Sequence, residues 1–100
     1  FDCDTKICAS NICKGAVLRS HLSQLDADPN EISILYFGDG QNDFCPGLNL
    51  NQNHHYFIRK DYSLEKLLRT HIHLHEKLDT NIFYWSNADD ILRLIDRKIE

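Results

Sequence analysis

The sequence predicts an α/β fold, a parallel sheet with helices on its faces that makes up the second half of a doubly wound domain. Three observations carry this. β-prone runs recur at Ile32–Phe37, His54–Ile58 and Asn81–Trp85. Stretches with apolar residues at helical spacing precede, separate and follow them. The composition, 42% hydrophobic and 26% charged over 100 residues with four Gly and two Pro, is that of a globular chain with room for one modest core. The order α-β-α-β-α-β-α begins on a helix, an odd start for a complete parallel-sheet domain. We therefore expect one partial domain over residues 1–100.

The elements follow in order. Asn11 stands where an N-cap would, and Cys13, Val17, Leu18, Leu22 and Leu25 follow at helical spacing. This helix is expected to end near Asp28-Pro29-Asn30, because Pro disfavours helical geometry in the residue before it. Ile32–Phe37 has almost no polar break and suits a strand buried on both faces. Gly38-Asp39-Gly40 then turns the chain, and Asn42 to Leu48 can form a short helix interrupted by Pro46-Gly47. After the second strand, Ser63 caps a longer helix with Leu64, Leu67, Leu68, Ile72, Leu74 and Leu78 on its apolar face. After the third, Ser86 or Asn87 caps a final helix. Asp89 and Asp90 lie in its first turn, where the dipole favours acids, and Ile91, Leu92, Ile95 and Ile99 form its buried stripe.

Charge and composition exclude several classes of function. Eleven Lys plus Arg against fifteen Asp plus Glu leave a net charge of −4, which argues against nucleic acid and against an anionic membrane. No apolar stretch is long enough to span a bilayer, and Phe1-Asp2-Cys3-Asp4 is unlike a signal peptide. The sequence has no Met, the initiator included, and so reads as a piece of something longer. Cys3, Cys8, Cys13 and Cys45 lack the close C-x2-C pair of structural zinc sites, and thiols rather than disulfides are expected, as suits a cytoplasmic protein. His71, His73 and His75 sit in a helical pattern that puts His71 and His75 on one face, but no third metal ligand accompanies them. Arg59-Lys60 either contacts substrate or flanks a strand in water. Phe83, Tyr84 and Trp85 read as packing residues on a strand.

The informative segment is Gly38-Asp39-Gly40-Gln41-Asn42-Asp43, directly after the first strand. Open α/β sheets bind ligands beyond the carboxyl ends of their strands, where Asp39 lies. The flanking glycines would let the backbone bend and approach a ligand. Asp39 and Asp43 could converge as two hard oxygen ligands for Mg²⁺, which takes one or two carboxylates together with phosphate oxygens and waters. Lys14, in the first turn of a helix, sits where free N–H groups already favour an anion.

Gly38–Asp43 resembles the fourth motif of haloacid dehalogenase-type phosphatases, G-D-G-x-N-D. Asn11-Ile12-Cys13-Lys14, Asp43-Phe44-Cys45-Pro46 and Arg59-Lys60-x-Tyr62 are similar to the branch acting on phosphoethanolamine, phosphocholine and pyridoxal phosphate. The resemblance runs along nearly the whole chain and implies a Rossmann-like fold of which this is the C-terminal half. It also implies a phosphomonoester hydrolase acting through an aspartyl-phosphate, with a small phosphorylated metabolite as substrate. By it, Asp39 would ligate Mg²⁺ directly and Asp43 would support it, while Asn42 and Gly40 would face the phosphoryl end of the substrate. Lys14 would balance the charge of the phosphate and the nucleophile.

The family's nucleophile belongs to D-x-D-x-T after an apolar strand. Phe1-Asp2-Cys3-Asp4-Thr5 does not fit, since Thr5 is one position early and no such strand precedes Asp2. Asp2 is also too close to Lys14 to leave room for the family's substrate cap. The nucleophile and cap are therefore expected upstream, in a missing N-terminal half that would be the partner of this chain, and the chain alone is expected to be inactive. The alternative is a non-catalytic binding module that keeps the phosphatase fold.

Overall fold

Three parallel strands, β1 (Leu35–Gly38), β2 (His55–Arg59) and β3 (Asn81–Trp85), lie side by side in chain order. This computed structural model describes residues 13–25 and 31–98. The strands are in register, so Phe37, Phe57 and Phe83 stand in one row across the sheet, and Tyr36, Tyr56 and Ile82 in the next. Helices fill every connection: α1 (Lys14–Ser23) before the sheet, α2 (Phe44–Gly47) after β1, α3 (Ser63–Thr70) and α4 (Ile72–His75) after β2, and α5 (Ala88–Lys98) after β3. A 3₁₀ turn, Gln41–Asp43, leads into α2. The expected α/β class with a parallel, helix-flanked sheet is what the chain forms. No helix among the described residues is long and apolar enough to cross a membrane.

The core lies between the sheet and its helices. Tyr56 and Ile58 of β2 pack with Phe44, Leu50, Leu64, Leu68 and Leu74, and Ile82 of β3 packs against them. On the opposite face Phe37 stacks on Phe57 with ring centroids 4.5 Å apart, and Phe57 meets Phe83 at 5.3 Å. Burial on both faces therefore belongs to β2, whose Tyr56, Phe57 and Ile58 are fully buried. It was expected of Ile32–Phe37, but Leu35 and Phe37 are exposed. Among the described residues β1 pairs on one side only, and an edge strand is covered less.

Four local expectations are corrected. β1 begins at Leu35, not Ile32, because the Ile34 N–H is taken by the His54 ring at 3.0 Å. α1 ends at Ser23, not near Asp28-Pro29-Asn30. There Gln24 and Leu25 switch to i→i−3 bonds, on His21 and Leu22, and the Ser23 hydroxyl turns back onto Ser20. Its N-cap is Cys13, and Asn11 lies outside the described residues. The long helix after β2 breaks at His71, whose backbone (φ −125°, ψ 78°) is not helical, and this rotates Ile72 outward while Leu74 stays buried. Pro46 does not interrupt the helix after the acidic turn. It occupies the first turn of α2, where a missing N–H costs little.

At the last helix the cap expectation resolves to Asn87, whose side-chain oxygen accepts the Asp90 N–H at 3.0 Å. Asp90 in return accepts the Ser86 N–H at 2.9 Å. Leu92 points to solvent rather than into the expected stripe, and Ile99 lies outside the described residues.

Candidate active site

At the carboxyl end of β1 the chain enters the acidic turn, and the turn is built around the Asp43 side chain. Asp43 is almost completely buried. One carboxylate oxygen accepts the Lys14 ammonium at 2.9 Å and the Tyr36 hydroxyl at 3.0 Å. The other accepts the Asp39 N–H at 3.0 Å and the Gly40 N–H at 3.2 Å. Burial works to raise this carboxyl's pKa, but the bonds from Lys14, the two amides and Tyr36 outweigh it and hold Asp43 below the usual carboxylate value. The same contact acts oppositely on Tyr36, where burial and then the Asp43 charge push the phenol well up.

The sequence achieves this closeness by leaving out side-chain atoms. A Cβ at Gly38 would come within 2.6 Å of the Asp43 Cβ and 3.0 Å of its carboxyl carbon. The glycine was expected for its freedom to bend, yet no described glycine has positive φ, so the requirement at Gly38 is space. Gly15 acts alike for α1, since a Cβ there would lie 2.8 Å from the Cys45 Cβ. α1 thus rests on α2, and Lys14, one residue earlier, reaches a carboxylate 29 positions away in sequence. Tyr56 locks the turn from below, its hydroxyl donating to the Asp43 carbonyl at 2.6 Å.

Asp39 behaves differently. Its carbonyl accepts the Leu64 N–H at 2.9 Å, which stitches the start of α3 to the turn. Its carboxylate is half-exposed and lies 4.0 Å from Arg59. The Asn42 side-chain oxygen lies 3.1 Å from where a Gly40 Cβ would be. Lys14 and Asp43 are therefore in direct contact, Asp39 and Gly40 join them through backbone amides, and the Asp39 carboxylate faces outward.

No group of three or more His, Cys, Asp or Glu able to hold a metal exists among the described residues, the His71–His73–His75 segment included. Asp2, Cys3 and Cys8 lie outside the described residues, and Cys13 and Cys45 pack together in a small buried cluster with Ala16. Sequence reasoning missed Tyr36 and Tyr56 and left Arg59 undecided. Tyr36 had a usable signal: it lies two residues before Gly38 and so on the same side of the strand.

A family model described as "Putative Phosphatase" matches residues 1–99. A pyridoxal phosphate phosphatase of Bos taurus is 35% identical over 86 residues, covering 85% of this chain and 36% of its own length. The Homo sapiens pyridoxal phosphate phosphatase shows the same identity and coverage. A thiamine phosphate phosphatase-like protein of Arabidopsis thaliana is 30% identical over 89 residues, covering 89% of this chain and 35% of its own length. The chain thus spans about a third of the length of the curated relatives it matches. No solved structure matches it. Matched from end to end by that family model and carrying the Gly38–Asp43 turn, the chain belongs to this family of haloacid dehalogenase-like phosphatases.

Proposed function

We propose that this chain is the lysine-and-acid part of a magnesium-dependent phosphatase that hydrolyses phosphomonoesters of small metabolites. The attacking carboxylate, which would become an aspartyl-phosphate, lies outside the chain. The observation that carries this reading is the Lys14–Asp43 contact of 2.9 Å set against the outward Asp39 carboxylate at the end of β1. Lys14 is fixed yet 43% exposed at its side chain, so its charge is available to a phosphoryl oxygen without desolvation of a bare ammonium.

The donor set suits magnesium, since hard carboxylate oxygens are what it takes and Asp39 offers one that accepts no hydrogen bond from the described residues. Asp39 would hold the ion directly. Asp43, with four donors already on its oxygens, would support it from behind, while Asn42 and Gly40 would orient the phosphoryl end of the substrate. Magnesium bound there neutralises charge on the phosphoryl oxygens. The relatives named for pyridoxal phosphate and thiamine phosphate favour a small phosphorylated metabolite as substrate.

The test is phosphate release from pyridoxal phosphate and phosphoethanolamine with magnesium. It is run on this chain and on the chain extended by the residues its gene encodes upstream. The extended protein is expected to turn over, and Asp39→Asn is expected to weaken both its activity and its magnesium dependence, because a charged hard ligand is removed. Robust turnover by the 100 residues alone, abolished by Asp2→Asn, would make Asp2 the nucleophile. No turnover by either would favour the binding-module reading.

A further inference from the structure

The carboxyl ends of β2 and β3 hold a second cluster that the lysine-and-acid part does not use. Arg59, the last residue of β2, has its guanidinium carbon 4.0 Å from the centre of the Tyr62 ring and 5.1 Å from that of Trp85. The clamp is built by local backbone. Asp61 takes a left-handed conformation, φ 66°, stabilised by its N–H on the Glu65 carboxylate at 2.7 Å, and this brings Tyr62 back over Arg59. The Lys60 N–H on the Trp85 carbonyl at 2.8 Å holds β3 alongside.

The two rings strip water from part of the guanidinium. Arg59 Nε is buried with no hydrogen-bond partner among the described residues, and so is the Trp85 indole nitrogen. A partly desolvated cation interacts more strongly with a nearby anion than a hydrated one. The carboxylate that Arg59 meets is Asp39, with Nη1 4.0 Å from its Oδ2. Stacking on the two rings keeps the guanidinium at this end of the sheet, within reach of Asp39.

We infer that Arg59 is a positioning residue for Asp39: clamped by Tyr62 and Trp85, it restrains the Asp39 carboxylate and competes with a divalent cation for it. This rests on the proposed role of Asp39 as a metal ligand. When the cation arrives, Arg59 gives way, its guanidinium shifting against the Trp85 ring. Weak, readily reversed metal binding at Asp39 is the consequence.

Trp85 is the single tryptophan of the sequence and reports on the clamp. Magnesium chloride is titrated into the extended protein, with any tryptophan outside these 100 residues changed to phenylalanine, read by calorimetry and by tryptophan emission, for wild type, Asp39→Asn, Arg59→Gln and Tyr62→Leu. Tyr62 is 44% exposed, so its replacement loosens the clamp without touching the core and stands in if Arg59→Gln does not fold. Wild type is expected to show saturable binding with an emission change, both lost in Asp39→Asn. Arg59→Gln is expected to bind magnesium about three- to tenfold tighter, the size of one unit charge removed at close range in a partly hydrated site. Tyr62→Leu is expected to move the affinity in the same direction by less. Affinity unchanged or weakened in both clamp variants overturns the role of Arg59 and leaves the metal reading of Asp39 standing. Constant emission while calorimetry records binding also overturns it, because the guanidinium then does not move. No saturable binding in any variant overturns both.

Discussion

The Lys14 ammonium donates to the Asp43 carboxylate across 2.9 Å and so ties the first turn of α1 to the turn that follows β1. Two other donor types complete the arrangement, a tyrosine hydroxyl and two backbone amides, and they leave Asp43 with its acceptor positions filled. The two acids of the motif are therefore not equivalent. Asp43 is a buried anchor held ionised by its donors, and Asp39 is the carboxylate offered to the outside.

Replacing Lys14 separates its structural role from its chemical one. Lys14→Ala leaves Asp43 with Tyr36 and the two amides, and the ammonium is partly in water, so about 1 kcal/mol of stability is expected to be lost by urea unfolding. Activity of the extended protein is expected to fall far more, by about a hundredfold or greater, because charge facing a phosphoryl group acts mainly in the transition state. Lys14→Arg should recover most of the stability and only part of the rate, since a planar fork does not replace a compact ammonium. A rate loss no larger than the stability loss would return Lys14 to a structural role.

Gly38→Ala tests whether space, not flexibility, is what the turn requires. The added methyl meets the Asp43 side chain at 2.6 Å, and both atoms are fixed by backbone. A loss of about 1–3 kcal/mol in unfolding free energy is expected from overpacking. The Asp39 and Gly40 amides should exchange hydrogen faster as their bonds to Asp43 are displaced. Unfolding like wild type would show that the turn can relax around a side chain.

The two tyrosines that meet Asp43 are expected to differ. Tyr36→Phe removes one of four donors to a carboxylate and should cost about 1 kcal/mol while letting the Asp43 pKa rise, visible by NMR titration of its carboxyl carbon. Tyr56→Phe strips a buried bond of 2.6 Å to the Asp43 carbonyl, at a residue with no solvent access, and should cost about 1–3 kcal/mol. Equal losses would mean that the Asp43 carbonyl finds another partner.

How much of this was legible in the sequence follows from which interactions are local. β3 reads off its residues alone, because Asn81–Trp85 is bounded by a turn on one side and a capped helix on the other. The helix after β2 does not. Its leucine spacing continues past Thr70, and only the backbone at His71 shows that Ile72 faces solvent. The acidic turn was legible as a motif, yet its inner arrangement was not. Which acid points inward depends on Gly38 admitting the Asp43 side chain and on Gly15 admitting Cys45, contacts between residues five and thirty apart in sequence. Arg59 was undecidable from spacing for the same reason. Its meaning comes from Tyr62 returning over it and from Trp85 on the next strand.

Stability should fall as pH drops below about 6.5, and His54 should be the cause. Its ring is buried, and Nδ1 accepts the Ile34 N–H at 3.0 Å, a bond that needs the lone pair that protonation removes. Burial, and then the charge of neighbouring His55, hold the His54 pKa below its ordinary 6.5. A group depressed in the folded state contributes stability that is complete above its unfolded pKa. As pH falls below 6.5 the unfolded chain binds the proton first, so folding loses up to about 1.4 kcal/mol per pH unit until the folded ring protonates as well. The depressed carboxyl of Asp43 titrates below 3.8 and lies outside this window. Urea midpoints between pH 8 and pH 5 measure the loss. His54→Asn places an amide oxygen near the Nδ1 position, keeps an acceptor for Ile34 and cannot titrate there, so the fall between pH 6.5 and pH 5 should shrink in that variant. A fall of undiminished size in His54→Asn would assign it to another group.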